Sequence, residues 1–292
     1  MFANAIEKTG NFIRPVVVTR RYYDERVETI GGTIVILNKN GWFISAAHIF
    51  EAIALEQNHK KDIEDYQEKA AKFKDDPNLR KELKRLRPNP RWVTACSVWP
   101  GEDKVTIEDI SVIPDADLFL GRLDPFDPST INQFPIFKEA EGVELPIGTP
   151  LCKTGFSYTD IDAKFDKATG AFALDLKNMI PFPLDGIYTR NILMKSQKDA
   201  KESEERDLEI KFIETSTPGL LGHSGAPVFD ADGTLWGIHS RTTHLPLGFS
   251  PSLTKETKFS AKDDTLSVGW AIHTELICKF LKERGISFES AS

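Results

Sequence analysis

Three short segments of this chain hold side chains of the types needed for nucleophilic catalysis. Ile44-Ser45-Ala46-Ala47-His48 ends an apolar run with a histidine. Asp115-Ala116-Asp117-Leu118-Phe119-Leu120 opens another run with acids. Gly222-His223-Ser224-Gly225-Ala226-Pro227-Val228 sets a serine among glycines. A serine hydroxyl is a weak nucleophile at neutral pH. It needs a base within hydrogen-bond reach, and that base needs a carboxylate to fix its tautomer and support its cation. His48, Asp117 and Ser224 supply those parts. Each alone also has a plain reading, as a core histidine, a strand-edge acid and a turn serine. All three together, in this order, read as one constellation.

The elements that must position them are mostly strands. Val16-Val17-Val18-Thr19 and Thr29 to Leu37 are β-branched runs, and Trp42 to His48 reads as the returning strand of a hairpin. The turn between them is Asn38-Lys39-Asn40-Gly41, where Asn-Gly readily takes positive φ. Further strand signals lie at Val105-Thr106-Ile107, Leu118-Phe119-Leu120, Pro150-Leu151-Cys152, Asn191 to Met194 and Leu208 to Ile213. Residues 51–87 are different in character. They are rich in charge and lack glycine, with Ile63, Tyr66, Ala70 and Phe73, then Leu79, Leu83 and Leu86, at helical spacing. This predicts two amphipathic helices inserted into a β protein, separated at Asp76-Pro77-Asn78. The almost wholly polar stretch from Lys195 to Asp207 is expected to be a mobile surface loop. Leu276, Ile277, Phe280 and Leu281, followed by Gly285, predict a C-terminal helix.

Chain order discriminates among triad folds. The order here is His48, Asp117, Ser224. The α/β-hydrolases run Ser, Asp, His and the subtilisins Asp, His, Ser. Ala226 also breaks the Gly-x-Ser-x-Gly elbow of the former. On these segments, with Leu235-Trp236-Gly237-Ile238-His239-Ser240 and Gly269-Trp270-Ala271-Ile272, the chain resembles the trypsin-like serine peptidases of the chymotrypsin clan. Within that clan it is most similar to bacterial glutamyl endopeptidases and to HtrA-type protease domains without PDZ domains. The resemblance covers roughly residues 28–285, apart from the insertion.

It implies an all-β fold of two six-stranded antiparallel β-barrels with a helical insertion and a C-terminal helix. The first barrel, residues 1–135 with the insertion at 51–90, would carry His48 and Asp117. The second, residues 136–292, would carry Ser224. The resemblance implies a serine endopeptidase in which Ser224 is the nucleophile, His48 the general base and Asp117, rather than Asp115, its support. The backbone N–H groups of Gly222 and Ser224 would form the oxyanion hole. No metal or organic cofactor is expected, and the partner would be a protein or peptide substrate. The contrasting class is a catalytically latent, protease-fold binding module that needs a partner through its helices.

The same resemblance places a specificity pocket between Thr215 to Leu221 and Gly237 to Thr242. No acid lies where selection of lysine or arginine would need one. His239, with Thr217 or Thr242 beside it, is expected to face a glutamate or glutamine side chain of the substrate. A small or medium apolar pocket is the rival. Ser240 is expected to hydrogen-bond near Asp117. One departure stands out. His223 occupies the position where many relatives carry an aspartate that receives a new N-terminus on activation. The nucleophile loop must therefore be ordered by other means.

Composition bounds the rest. The chain has 292 residues, of which 40% are hydrophobic and 28% charged, enough for a sizeable core. Its 37 basic and 44 acidic residues leave a net charge of −7, which gives no global attraction to nucleic acid. The basic second half of the insertion leaves local contact open. The insertion otherwise reads as a solvated decoration, or as a docking site for a regulatory protein near the cleft. No apolar run is long enough to span a membrane. No secretory signal is visible, and Cys96, Cys152 and Cys278 form no C-x-x-C pair. Both observations favour a reducing, cytoplasmic setting.

Overall fold

The computed structural model describes the chain except residues 76–80, 82–84, 140–143, 158–160, 177–178, 196–208, 248–264 and 292. Helix α1 (Ala3–Phe12) leads into strands β1 (Ile13–Tyr22), β2 (Val27–Ile36) and β3 (Trp42–Ala46). After the insertion come β4 (Val93–Trp99), β5 (Thr106–Ile113) and β6 (Leu118–Asp124). These six strands form one antiparallel sheet in the order β4-β1-β2-β3-β6-β5. The β-branched runs explain the centre of the sheet, since Val16, Val17, Val18, Ile34, Val35 and Ile36 are all buried. At the turn into β3, the Asn40 amide donates to Asn38 Oδ1 at 2.9 Å, and Gly41 takes φ 77°.

The second half adds β7 (Ile136–Lys138), β8 (Pro150–Phe156), the hairpin β9 (Ile161–Asp166) and β10 (Ala171–Leu176), and β11 (Pro181–Lys195). It continues with β12 (Glu209–Thr215), β13 (Pro227–Phe229), β14 (Leu235–Pro246), β15 (Thr265–His273), helix α3 (Thr274–Glu283) and β16 (Glu289–Ala291). The order β13-β8-β11-β12-β15-β14 closes on itself through the β13–β14 pairing, which makes a six-stranded antiparallel barrel. Strands β7 and β16 extend it from β14 by parallel pairing. The two halves therefore differ in closure. The second is a closed barrel, whereas the first is a curled six-stranded sheet with no β4–β5 pairing among the described residues. One continuous apolar core runs through both, from Phe12, Ile34 and Phe43 to Phe137, Phe212 and Phe229.

Helix α2 (Glu51–Asp75) is a single element of 25 residues that starts directly after the His48 turn. The second helix expected at 79–87 lies largely outside the described residues, as does the polar stretch after Lys195. Helix α2 packs on β4 and β1 through edge-to-face contacts among Tyr23, Tyr66 and Trp92, with ring centroids 5.8–5.9 Å apart. The Val93 amide donates to His59 Nδ1 at 3.0 Å. Helix α1 was not legible in the sequence. Its Phe2 ring packs edge-on against Phe229 of the second barrel.

Candidate active site

His48 lies just past β3, in a 3-10 turn over Ala47–Phe50 rather than on the strand itself. Asp117 follows a second such turn, Pro114–Ala116, and adopts the left-handed conformation at φ 55°, ψ 37°. An aspartate tolerates that conformation better than most residues. The turn brings its main chain back onto the histidine, and the Ala47 amide donates to the Asp117 carbonyl at 2.9 Å. The Asp117 carboxylate accepts from the His48 amide at 2.8 Å and lies 2.9 and 3.1 Å from His48 Nδ1. Ser240 Oγ donates to the same carboxylate at 2.6 Å. Burial pushes this carboxyl up, but the hydrogen bonds and charge of His48, with the Ser240 bond, outweigh it and hold the group below its ordinary range. Asp117 is therefore an anion at neutral pH.

The other imidazole nitrogen, His48 Nε2, lies 2.8 Å from Ser224 Oγ. Ser224 comes from the loop before β13, where Gly222 and Gly225 take φ 94° and 82°. Only glycine adopts such angles without strain. Thr33 of β2 grips this loop on both sides of His223. Its hydroxyl donates to the Gly222 carbonyl at 2.9 Å, and its amide donates to the Ser224 carbonyl at 2.8 Å. The same hydroxyl accepts from the Phe156 amide at 3.1 Å. The Gly222 and Ser224 amides make no bond to a backbone carbonyl among the described residues. His223 is wholly buried, and neither ring nitrogen has a hydrogen-bond partner among the described residues. Burial, reinforced by the charge of Lys153, lowers its pKa to about 4, so it is neutral at pH 7.

These residues open onto a cleft of about 880 Å³ lined by His48, Asp117, Ser224, Gly222, His239 and Thr242, among others. Its walls include Gly31 of β2, Leu220 and Leu221 of the loop that carries Ser224, and Arg241 of β14. Among the described residues, none of helix α2 lines it. His239 is buried and rests against Gly219 so closely that a side chain there would collide with its Nε2. Burial, with lesser contributions from Lys153, His223 and His48, drives its pKa well below the ordinary value. Thr242 Oγ1 accepts from the Gly219 amide at 3.1 Å and ties the two walls together. Ser240 lines the cleft, with its hydroxyl committed to Asp117. Thr217 is placed differently from expectation. Its hydroxyl is turned away to the Asp185 carbonyl at 2.5 Å, and the residue does not line the cleft.

Two residues at this site escaped the sequence reading. Thr33 sits in a β-branched run where a threonine looks like any other strand residue. Lys153 sits in β8, where a single lysine reads as solvent-facing, yet it is 2% exposed. The only signal was its position between Cys152 and Thr154, with no other charge nearby in the strand.

A closed six-stranded barrel meets a curled six-stranded sheet at a cleft that joins His48, Asp117 and Ser224, an architecture of chymotrypsin-like type. The chain resembles the trypsin-like serine peptidases of the chymotrypsin clan. No family model matches it. It is 30% identical over 79 residues to serine protease HTRA3 of Rattus norvegicus, a match spanning 27% of this chain and 17% of the relative. The match to serine protease HTRA3 of Mus musculus has the same extent, so well under two thirds of either relative's length is spanned. Among solved structures, the active form of the Rv3671c protease from M. tuberculosis is similar with a TM-score of 0.47 and 12% identity, over 98% of this chain and 86% of that one. The HtrA-type protease AlgW with a tripeptide is similar with a TM-score of 0.46 and 16% identity, over 98% and 65% of the two chains.

Proposed function

We propose that this protein is a serine endopeptidase. The observation that carries the reading is the unbroken relay from Asp117 through both nitrogens of His48 to Ser224 Oγ, with contacts of 2.9 and 2.8 Å. Ser224 Oγ attacks the carbonyl carbon of the scissile bond as His48 Nε2 takes its proton. The Asp117 carboxylate holds Nδ1–H and stabilises the imidazolium. The carbonyl oxygen becomes an oxyanion and accepts hydrogen bonds from the Gly222 and Ser224 amides, each donor typically being worth about 3–4 kcal/mol in such a transition state. His48 then gives the proton to the leaving amine, which departs and leaves an acyl ester on Ser224. Water, deprotonated by His48, hydrolyses that ester and restores the hydroxyl.

The pocket beside the nucleophile suits a glutamate or glutamine before the cut. A neutral His239 at its wall can offer one N–H to a side-chain oxygen, and among the described residues no carboxylate lines the cleft apart from Asp117, which His48 and Ser240 occupy. Peptide libraries with defined residues before the cut, digested by wild type and Ser224→Ala and read by mass spectrometry, test both statements. Cuts after glutamate or glutamine that vanish in the variant are expected. Cuts that persist in Ser224→Ala would sink the triad. A wild type that cuts nothing would favour the latent binding module.

A further inference from the structure

The triad leaves one buried charge unused. Lys153 projects from β8 on the same face as Leu151, whose apolar neighbours Ile213, Val228 and Ala271 fill the second barrel. Its ammonium ends behind the segment Thr215 to Gly219, of which Gly219 lines the cleft. It donates to the Thr217 carbonyl at 2.6 Å and to Thr215 Oγ1 at 3.1 Å. Gly269 of β15 leaves the space, since a side chain there would collide with Lys153 Nζ. Two residues beyond Thr217, Gly219 lines the cleft and carries the His239 ring against it.

We infer that Lys153 is the specificity-determining charge of this pocket, selecting a carboxylate over a carboxamide in the side chain before the cut. The inference rests on the serine-peptidase reading of the cleft. Its physical basis is an imbalance. A buried cation is costly unless an anion accompanies it. Lys153 has two neutral acceptors and, among the described residues, no carboxylate partner. A substrate glutamate held in the cleft beside Gly219 and His239 would bring a counter-charge toward the buried ammonium. Glutamine fills the same volume and brings none. His239 contributes differently. Its Nδ1 is buried without a partner among the described residues, so a proton on Nε2 makes it a neutral donor at the cleft wall. A neutral donor serves glutamate and glutamine alike, so discrimination between them falls to the lysine.

Burial lowers the Lys153 pKa to about 8, so the charge is mostly present at pH 7 and leaves above pH 8. The titratable groups that face it are Cys152 on its own strand, His223 on the nucleophile loop and His239 on β14. The thiol is pushed up to about 11 and both rings are held neutral, so none of them changes charge near pH 8.

The test uses two peptides that differ only by glutamate or glutamine before the cut. Wild type should favour glutamate about tenfold or more in kcat/KM, equivalent to about 1.4 kcal/mol. Lys153→Met should bring that ratio to about one, with the loss falling on glutamate more than on glutamine turnover. A folded Lys153→Met that keeps the wild-type ratio overturns the inference. Should the variant fail to fold, the wild-type ratio measured from pH 6.5 to 9.5 decides. Effects common to both peptides cancel in the ratio, which should fall on passing pH 8. A flat ratio overturns the role of Lys153. Ser224-dependent cleavage only after apolar residues overturns it too, and leaves the peptidase reading standing. Absence of any Ser224-dependent cleavage removes the peptidase reading itself, and the inference with it.

Discussion

The Thr33 hydroxyl donates to the Gly222 carbonyl at 2.9 Å, so the first sheet holds the peptide two residues before Ser224 of the second barrel. With His223 where an activation aspartate would stand, this bond and that from the Thr33 amide to Ser224 join the Gly225 amide's bond to the His239 carbonyl in holding the loop. Thr33→Val keeps the shape and removes the hydroxyl from both the Gly222 carbonyl and the Phe156 amide. Leaving buried partners unsatisfied costs about 1–3 kcal/mol. We expect kcat to fall about 10- to 100-fold with KM changed little, and Thr33→Ser to restore most of it. Steady-state kinetics on the two variants check this, and a Thr33→Val protein with wild-type kcat would show that the loop is held elsewhere.

Asp117→Asn replaces an acceptor-only group with an amide that can enforce the wrong imidazole tautomer. A fall in kcat of about 10⁴ is the expected scale. Ser240→Ala removes the 2.6 Å bond that steadies the carboxylate and the 3.3 Å bond that Ser240 Oγ accepts from Arg241 Nε. Its effect should be far smaller, about tenfold, on the scale of a hydrogen bond to a charged group. Equal losses in the two variants would contradict the division of labour between them.

Gly219→Ala places a methyl group against His239 Nε2. The ring must move, while the relay from Asp117 to Ser224 involves neither residue. The expected outcome is a rise in KM of about tenfold for the preferred peptide, with the rate of Ser224 acylation by a small non-peptide ester nearly unchanged. Equal loss on both substrates would place Gly219 in the catalytic machinery rather than the pocket.

Acid should destabilise the fold before it protonates Asp117. His223 and His273 are buried, and burial is the main cause of their pKa values near 4, against 6.5 when exposed. Between pH 6.5 and 4 the unfolded chain therefore binds more protons than the folded one. Stability is full above pH 6.5 and falls as pH drops through 4. Each ring contributes on the order of 3 kcal/mol to that fall. His273 also caps α3, its Nδ1 accepting from the Glu275 amide at 3.1 Å. Asparagine keeps such a cap without titrating in this range. His239, buried with its pKa held well below the ordinary value, adds a third such ring, so urea midpoints at pH 7.5 and 4.5 should differ by about a third less in His273→Asn than in wild type.

How far the residues announced all this varied with how local the signal was. Strands β1 to β3, the hairpin at Asn38 to Gly41 and helix α3 followed from β-branched runs, an Asn-Gly turn and apolar residues at helical spacing. His48, Asp117 and Ser224 were legible because type, order and neighbours agreed. Closure was not legible, because pairing such as Val228 with Gly237 depends on register across the whole barrel. Helix α1 was hidden because its burial is tertiary, through Ala5, Thr9 and Phe12. Lys153 and Thr33 were hidden for a related reason. A lone lysine or threonine in a strand has a default orientation, and only the packed barrel shows that each faces inward.

The course of the main chain between the two halves has a mechanical consequence. Helix α1 rests on the second barrel, with Phe2 against Phe229 and the Lys8 ammonium on the Asp232 carbonyl at 3.0 Å, before the chain enters the first sheet. Near the other end, the Ser287 carbonyl accepts from Asn38 of the first sheet at 2.8 Å. The sheet is thus tethered to the barrel by straps at several points along the chain. Such a joint resists swinging. A bulky body cannot wedge the halves apart cheaply, so under the proposed function an already extended strand would fit best.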